Sequence, residues 1–297
     1  MDYFDFNKLF IIESLSSDEI SKGFNNPNKN LIKCLDSFQG QEQLNFFSYE
    51  LIQVNNGITQ FVSSIEEICE ECKSQGTYPI IHFLGHGSQG GGIHLWDNPI
   101  NKYSMLEWKE LYVLLAKVNS SCHNNLFFTT TACYGFDSYK QLFVDKVSNI
   151  PFVGIVAIDP CECFYVHDAD IVFCSFYKTL LETNSVSKAI DVVKSEEHKL
   201  FGKMPYIAFS DDTFRRIYQK AQEESFKTEN IEKLVNIVAK QLNLSSDQRS
   251  KTLSDFMKEI KKHMQEEYIR IRDTKFMFND PLVKKDRFNL PDSYDKL

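Results

Sequence analysis

Two short loops carry residue types that could do chemistry. One reads Gly85-His86-Gly87-Ser88-Gln89-Gly90-Gly91-Gly92 and follows the apolar run Tyr78 to Leu84 (YPIIHFL). The other reads Ala132-Cys133-Tyr134-Gly135 and follows Asn125 to Thr131 (NLFFTTT). A thiol beside an imidazole is the minimum for nucleophilic cysteine catalysis. A base forms the thiolate, the thiolate attacks a carbonyl carbon, and an acid then protonates the departing amine. If the two runs are neighbouring strands, His86 and Cys133 leave the sheet at the same edge, where the sites of open parallel sheets collect. Glycines flanking His86 let the backbone approach a substrate, and the Gly87 amide, with that of Cys133, could donate to an oxyanion.

Other constellations are poorer. A cysteine at a strand end is by itself a packed small hydrophobe, and only the Gly-flanked histidine in the right order singles out Cys133. His82 points to the same face four residues earlier and belongs in the sheet. His94 and Trp96 in GGIHLWDN read as a β-hairpin beside the site, structural first and cleft-shaping second. Cys69-x-x-Cys72 resembles half a zinc site but sits in a helical run with no partner pair, and Cys161-x-Cys163 is likewise short of ligands, so no metal is expected. His86-Gly87-Ser88-Gln89-Gly90 has His where a nucleophile elbow has its first glycine. Gly90 to Gly92 lack the Lys-Ser/Thr of a phosphate loop, so no cofactor is expected.

The elements that must hold these loops alternate along the first 212 residues. Leu9 to Leu15, Phe46 to Val54, Tyr78 to Leu84, Asn125 to Thr131, Phe152 to Ile158 and Pro205 to Phe209 read as strands. Thr59 to Ser74, Met105 to Val118, Asp170 to Glu182 and Ser187 to Glu197 read as helices. Continuous rather than alternating apolarity in the central strands suits a mostly parallel sheet covered on both faces, a three-layer α/β/α sandwich. After Asp212 the pattern turns helical. Ile231, Leu234, Val235, Val238 and Leu242 share one face, as do Leu253, Phe256, Met257, Ile260 and Met264, and Ser245 with Gln248 forms a capping-box signature. The chain thus divides into a sheet domain over 1–212 and a helical extension over 213–297. The last stretch keeps Phe276, Phe278, Phe288 and Tyr294 and is expected to lie back on the surface.

Charge follows the same division. Of 33 basic and 41 acidic residues, 15 and 27 fall in 1–212 and 18 and 14 in 213–297, giving −12 and +4. A net-acidic body argues against a nucleic-acid substrate, which needs Lys and Arg to displace counterions, and tolerates a basic peptide better. The start of the chain carries acids where a secretory signal carries bases, and no apolar run reaches bilayer length. With eight scattered cysteines and no disulfide framework, this places the protein in the cytoplasm, away from membranes.

Ile81 to Gly87 (IHFLGHG) resembles the histidine strand of the CHAT family, caspase-like cysteine peptidases related to separase, and Thr130-Thr131-Ala132-Cys133 resembles their cysteine strand. Further matches follow in the family's order. Val153 to Ala157 resembles the next core strand, Asp168 to Tyr177 the acidic loop running into a helix, Ser185 to Ile190 the recurrent helix start, and Pro205 to Phe209 the closing strand. The resemblance covers roughly residues 5–212. It implies a caspase-like fold and peptide-bond hydrolysis of a protein substrate, with Cys133 as nucleophile and His86 as general base and acid. It also implies that an acid after the third core strand lines the pocket for the side chain preceding the cut; Asp159 and Asp168 match. With the −12 charge this favours cleavage after Arg or Lys, small or apolar residues being the alternative. Many relatives carry a preceding tetratricopeptide array, absent here, so a separate protein activator is expected. Standalone bacterial relatives serve in defence or regulated cell death. The competing reading is a catalytically silent caspase-like adaptor acting as a protein-interaction module.

Overall fold

The computed structural model describes residues 4–21, 29–38, 47–140, 149–157, 166–195, 206–225 and 245–296, with 233, 235–237 and 240–243 between the last two stretches. In chain order the elements are β1 (Lys8–Glu13), α1 (Ser17–Ser21), α2 (Lys29–Phe38), β2 (Ser48–Gln53), α3 (Gly57–Gln75), β3 (Pro79–Leu84), β4 (His86–Gly87), β5 (Gly92–Asp97) and β6 (Lys102–Glu107). They continue with α4 (Trp108–Ser121), β7 (Phe127–Thr130), α5 (Asp137–Lys140), β8 (Gly154–Ala157), α6 (Val166–Thr183), α7 (Val186–Ser195), β9 (Tyr206–Phe209), α8 (Ser210–Ser225) and a long α9 (Ser246–Lys275).

The apolar runs make a six-stranded sheet in the order β2-β1-β3-β7-β8-β9. All pairings are parallel except that of β8 with β9. The three central strands β3, β7 and β8 are buried at every residue, as continuous apolarity requires, whereas β2 at one edge exposes Ser48, Glu50 and Leu51. Side chains alternate between faces along a strand. Phe83 meets Phe61 of α3 edge-on, with ring centroids 6.0 Å apart, while His82 meets Phe173 of α6 at 4.6 Å. Phe127 stacks on Phe176 on the α6 side as well. Since α4 packs on α3, and α2 and α7 on α6, helices cover both faces and the architecture is a three-layer α/β/α sandwich with a mostly parallel sheet.

A separate three-stranded antiparallel sheet, β4-β5-β6, grows from the glycine loop. It corrects one expectation. Met105 and Leu106 are not helical: they pair with His94 and Ile93 across β5 and β6, and the helix starts only at Trp108. Cross-strand pairing overrides the apolar spacing there, and Glu107 with Glu110 closes a reciprocal capping box at the junction. The helices α1 and α2 lie in a stretch to which the periodicity assigned nothing.

The chain divides into two compact units, residues 1–210 with 282–287, and residues 211–281 with 288–297. In the first, the returning segment is anchored by Arg287, whose guanidinium reaches the Asp5 carboxylate at 2.8 Å and the Asn125 side chain, while Lys284 meets Asp5 at 2.6 Å. Burial pushes the Asp5 carboxyl up, but these cations outweigh it and hold the group below its ordinary range. In the second unit, Ser245 caps α9 in a capping box with Gln248. Phe214, Tyr268, Phe276 and Tyr294 form a buried aromatic cluster beside that helix.

Candidate active site

The two loops leave adjacent strands. Phe83 of β3 is in register with Thr130 of β7, and the Thr131 N–H donates to the Phe83 carbonyl at 3.0 Å, extending the pairing one residue past β7. His86 and Cys133 each stand three residues beyond a partner of that pair, at the carboxyl edge of the sheet. Beyond Thr131 the chain turns sharply, with the Gly135 N–H donating to the Ala132 carbonyl at 3.0 Å. Tyr134, at the third position of this turn, takes a φ of +59°, a left-handed conformation that costs a non-glycine residue about 1–2 kcal/mol. Strain of this kind, held one residue after a candidate nucleophile, is a recurrent property of functional turns.

On the histidine side, β4 pairs with β5 so that His86 faces His94 and Gly87 faces Ile93. The Ser88 N–H donates to the Gly92 carbonyl, which puts Gly87 in the non-hydrogen-bonded register and turns its own N–H away from β5. Gly87 also lies directly against the cysteine turn: a β-carbon there would overlap the Cys133 carbonyl oxygen and come within 3.2 Å of the Ala132 β-carbon. A second tie runs from the Gly90 N–H to the Asp137 carboxylate, 3.0 Å, at the start of α5. Trp108 fixes the far side of the glycine loop, its indole N–H donating to the Ser88 carbonyl and its backbone N–H to the Gly91 carbonyl, both at 3.1 Å. The two loops are therefore in backbone contact.

The His86 side chain is half exposed, and its Nε2 lies 2.6 Å from Glu19 Oε1. Its ring stands edge-on to that of Tyr103, with centroids 5.3 Å apart. Glu19 is held in turn: its Oε2 accepts the Ser16 N–H at 2.8 Å, the Ser16 hydroxyl at 2.7 Å and the Tyr103 hydroxyl. Burial works against the Glu19 charge, but the hydrogen bonds from Tyr103, Ser16 and His86 prevail and bring its carboxyl down to about 2. Burial and the hydrogen bond to Glu19 push the Tyr103 phenol up to about 12, so it stays a neutral donor. Cys133 is half-buried in its turn.

The remaining residues singled out by sequence take these places. His82 is buried, its Nδ1 2.8 Å from the Thr129 hydroxyl, and burial lowers its imidazole to about 3. His94 and Trp96 lie on β5 in the expected hairpin, where burial and the neighbouring His86 push the His94 imidazole below its usual range. Cys69 and Cys72 are buried on α3, and the Cys72 thiol is raised by its hydrogen bond with Cys122 and by burial. No cluster of metal-binding groups occurs among the described residues. Asp159 and the Cys161-x-Cys163 pair lie outside the described residues, and Asp168 stands in the first turn of α6. A groove of about 730 Å³ between α3 and α4 shares no residue with either loop. Sequence reasoning missed Glu19, Ser16 and Tyr103. A signal for the first two was present, since Ser16-Ser17-Asp18-Glu19 is an S-x-x-E capping pattern directly after the first strand.

No protein-family model matches the chain, and no curated protein is similar to it. Among solved structures, a crystal structure of caspase-1 from Spodoptera frugiperda aligns with a TM-score of 0.43 at 13% identity, over 70% of this chain and 88% of that one.

Proposed function

We propose that the chain is a cysteine endopeptidase of the CHAT type, with Cys133 as nucleophile and His86 as general base and acid. The supporting observation is the close approach of Gly87 to the Cys133 carbonyl, which leaves no room for a side chain and brings the histidine and cysteine loops together at one sheet edge. In this reading the Cys133 thiol gives its proton to His86, and the sulfur attacks the scissile carbonyl while the Gly87 and Cys133 amides receive the oxyanion. The C–N bond then breaks as His86 returns the proton to the departing amine. Water, deprotonated by the same imidazole, hydrolyses the thioester and regenerates the thiol.

Asp159 and Asp168 are the proposed anchors for a basic residue preceding the cut, in keeping with the −12 charge of residues 1–212. The enzyme is proposed to act in the cytoplasm on a protein substrate, latent until a protein activator binds, and to serve bacterial defence or regulated cell death. Among the described residues no helix is long and apolar enough to cross a membrane. The deciding experiment treats the full chain with an acyloxymethyl ketone bearing Arg or Lys beside the warhead, in lysate of the native organism, and locates the adduct by mass spectrometry. Labelling of Cys133 that disappears in His86→Ala supports the proposal. Labelling of Cys133 no faster than that of Cys34 or Cys174 would refute it in favour of a silent adaptor.

A further inference from the structure

Glu19 is placed to do more than cap a one-turn helix. Its two oxygens have separate partners. Oε2 takes three donors, the Ser16 N–H, the Ser16 hydroxyl and the Tyr103 hydroxyl, whereas among the described residues Oε1 faces the His86 Nε2 at 2.6 Å. A carboxylate pinned through one oxygen presents the other at a fixed point, and a carboxylate can only accept. The nitrogen facing it must therefore carry the proton. The edge-on Tyr103 ring restrains the same imidazole from a second direction, at 89° to its plane.

From this we infer that Glu19, anchored by Ser16 and Tyr103, is the positioning residue of the site: it fixes His86 as the Nε2–H tautomer and so makes Nδ1 the nitrogen that exchanges a proton with Cys133. The inference rests on the dyad proposed above and supplies its third member. When Nδ1 takes the thiol proton, the imidazolium forms with its Nε2–H already bonded to an anion, and the same carboxylate keeps the ring aimed while the proton passes on to the departing amine. Glu19 touches no reacting atom.

The arrangement fixes what an isosteric change must do. In Glu19→Gln, the site of Oε2 still faces a backbone N–H that cannot rotate away, so the amide oxygen takes that site and the NH₂ group turns to His86. Nε2 must then accept, the proton moves to Nδ1, and the base toward Cys133 is lost without loss of volume. The corresponding amide substitution in a serine-protease triad costs about 10⁴-fold through the same tautomer error. For the half-exposed His86 we expect a loss of at least about tenfold.

The experiment uses the full chain labelled with ¹⁵N-histidine, with the His86 resonances assigned by their absence in His86→Ala. At roughly pH 9, above the ordinary imidazole range, wild type should show a protonated Nε2 and a bare Nδ1 for His86, and Glu19→Gln the reverse. In parallel, the rate of Cys133 alkylation by iodoacetamide is followed by peptide mass spectrometry in wild type, His86→Ala, Glu19→Gln and Tyr103→Phe. Expected is slow alkylation in Glu19→Gln, with Tyr103→Phe intermediate because two of the three donors on Oε2 remain. An unchanged tautomer in Glu19→Gln, or alkylation slowed by His86→Ala but not by Glu19→Gln, overturns the role of Glu19 and leaves the dyad standing. Alkylation indifferent to His86→Ala overturns the dyad, and the inference with it, whatever the tautomer.

Discussion

Alanine at position 87 adds one methyl group against the carbonyl of Cys133. The φ of Gly87 is not among the positive ones, so alanine suits the backbone and its effect comes from the contact alone. The added carbon falls well inside the 3.0 Å limit that real β-carbons observe, and the atom it meets is backbone, which cannot swing aside. The histidine side cannot yield freely either, because β4 is paired to β5 and the following loop is bonded to Trp108. The loops must part by a large fraction of an ångström. Overpacking of this kind costs about 1–3 kcal/mol, equivalent to roughly 2–10 °C in Tm for a unit of this size. A misplacement of about 1 Å between reacting groups costs on the order of a hundredfold in rate. Calorimetry and the iodoacetamide rate at Cys133, measured on Gly87→Ala, read the two effects separately. The expected result is a modest fall in Tm with a much larger fall in alkylation rate. If alanine is neutral in both, the two loops are not in contact and the reasoning about the site fails.

Three further outcomes are expected. His82 is buried and neutral, with its imidazole lowered to about 3, so the unfolded chain binds a proton there first as pH falls. Stability should be fully present above about pH 6.5 and decline toward pH 3 by up to about 1.4 kcal/mol per pH unit; His82→Gln should remove that component of the slope in urea titrations across the range, and an unchanged slope would refute the assignment. Arg287→Ala should destabilise the sheet unit by about 1.5–3 kcal/mol through loss of charged hydrogen bonds to Asp5 and Asn125, read as a shifted urea midpoint at constant m-value. Gly76→Ala, at the left-handed C-cap of α3 with a φ of +68° and open space around it, should cost about 1–2 kcal/mol from backbone strain while leaving Cys133 alkylation at its wild-type rate; a change in that rate would mean the loops are not independent of this cap.

How much was legible in the residues depended on the range of the interaction. The central strands announced themselves because both faces are covered, so YPIIHFL and NLFFTTT could afford no polar alternation. The capping box at Ser245 was readable because both of its members lie within one turn. Met105 and Leu106 misled because their spacing fits a helix, while the interaction that decides their state is with His94 and Ile93 across a turn. Glu19 was missed for a related reason: 67 residues separate it from His86, and nothing in the local sequence says that its second oxygen has a distant partner. The S-x-x-E pattern gave half of its environment, and the β5–β6 hairpin, through Tyr103, supplied the rest.

The return of residues 282–287 to the sheet unit changes what a cut in the chain would do. The polypeptide passes from one unit to the other after residue 210, comes back at 282 and leaves again after 287. Between those crossings, residues 211–281 form a loop closed on the sheet unit at both ends, one end by the chain itself and the other by Arg287 and Lys284 on Asp5. A single protease nick inside that loop therefore does not release a free fragment. The pieces stay joined both by the Asp5 cluster and by the packing of Phe214 on Tyr268 and Phe276, so a chain nicked between Phe214 and Tyr268 should remain one particle even when acid or salt weakens the ion pair.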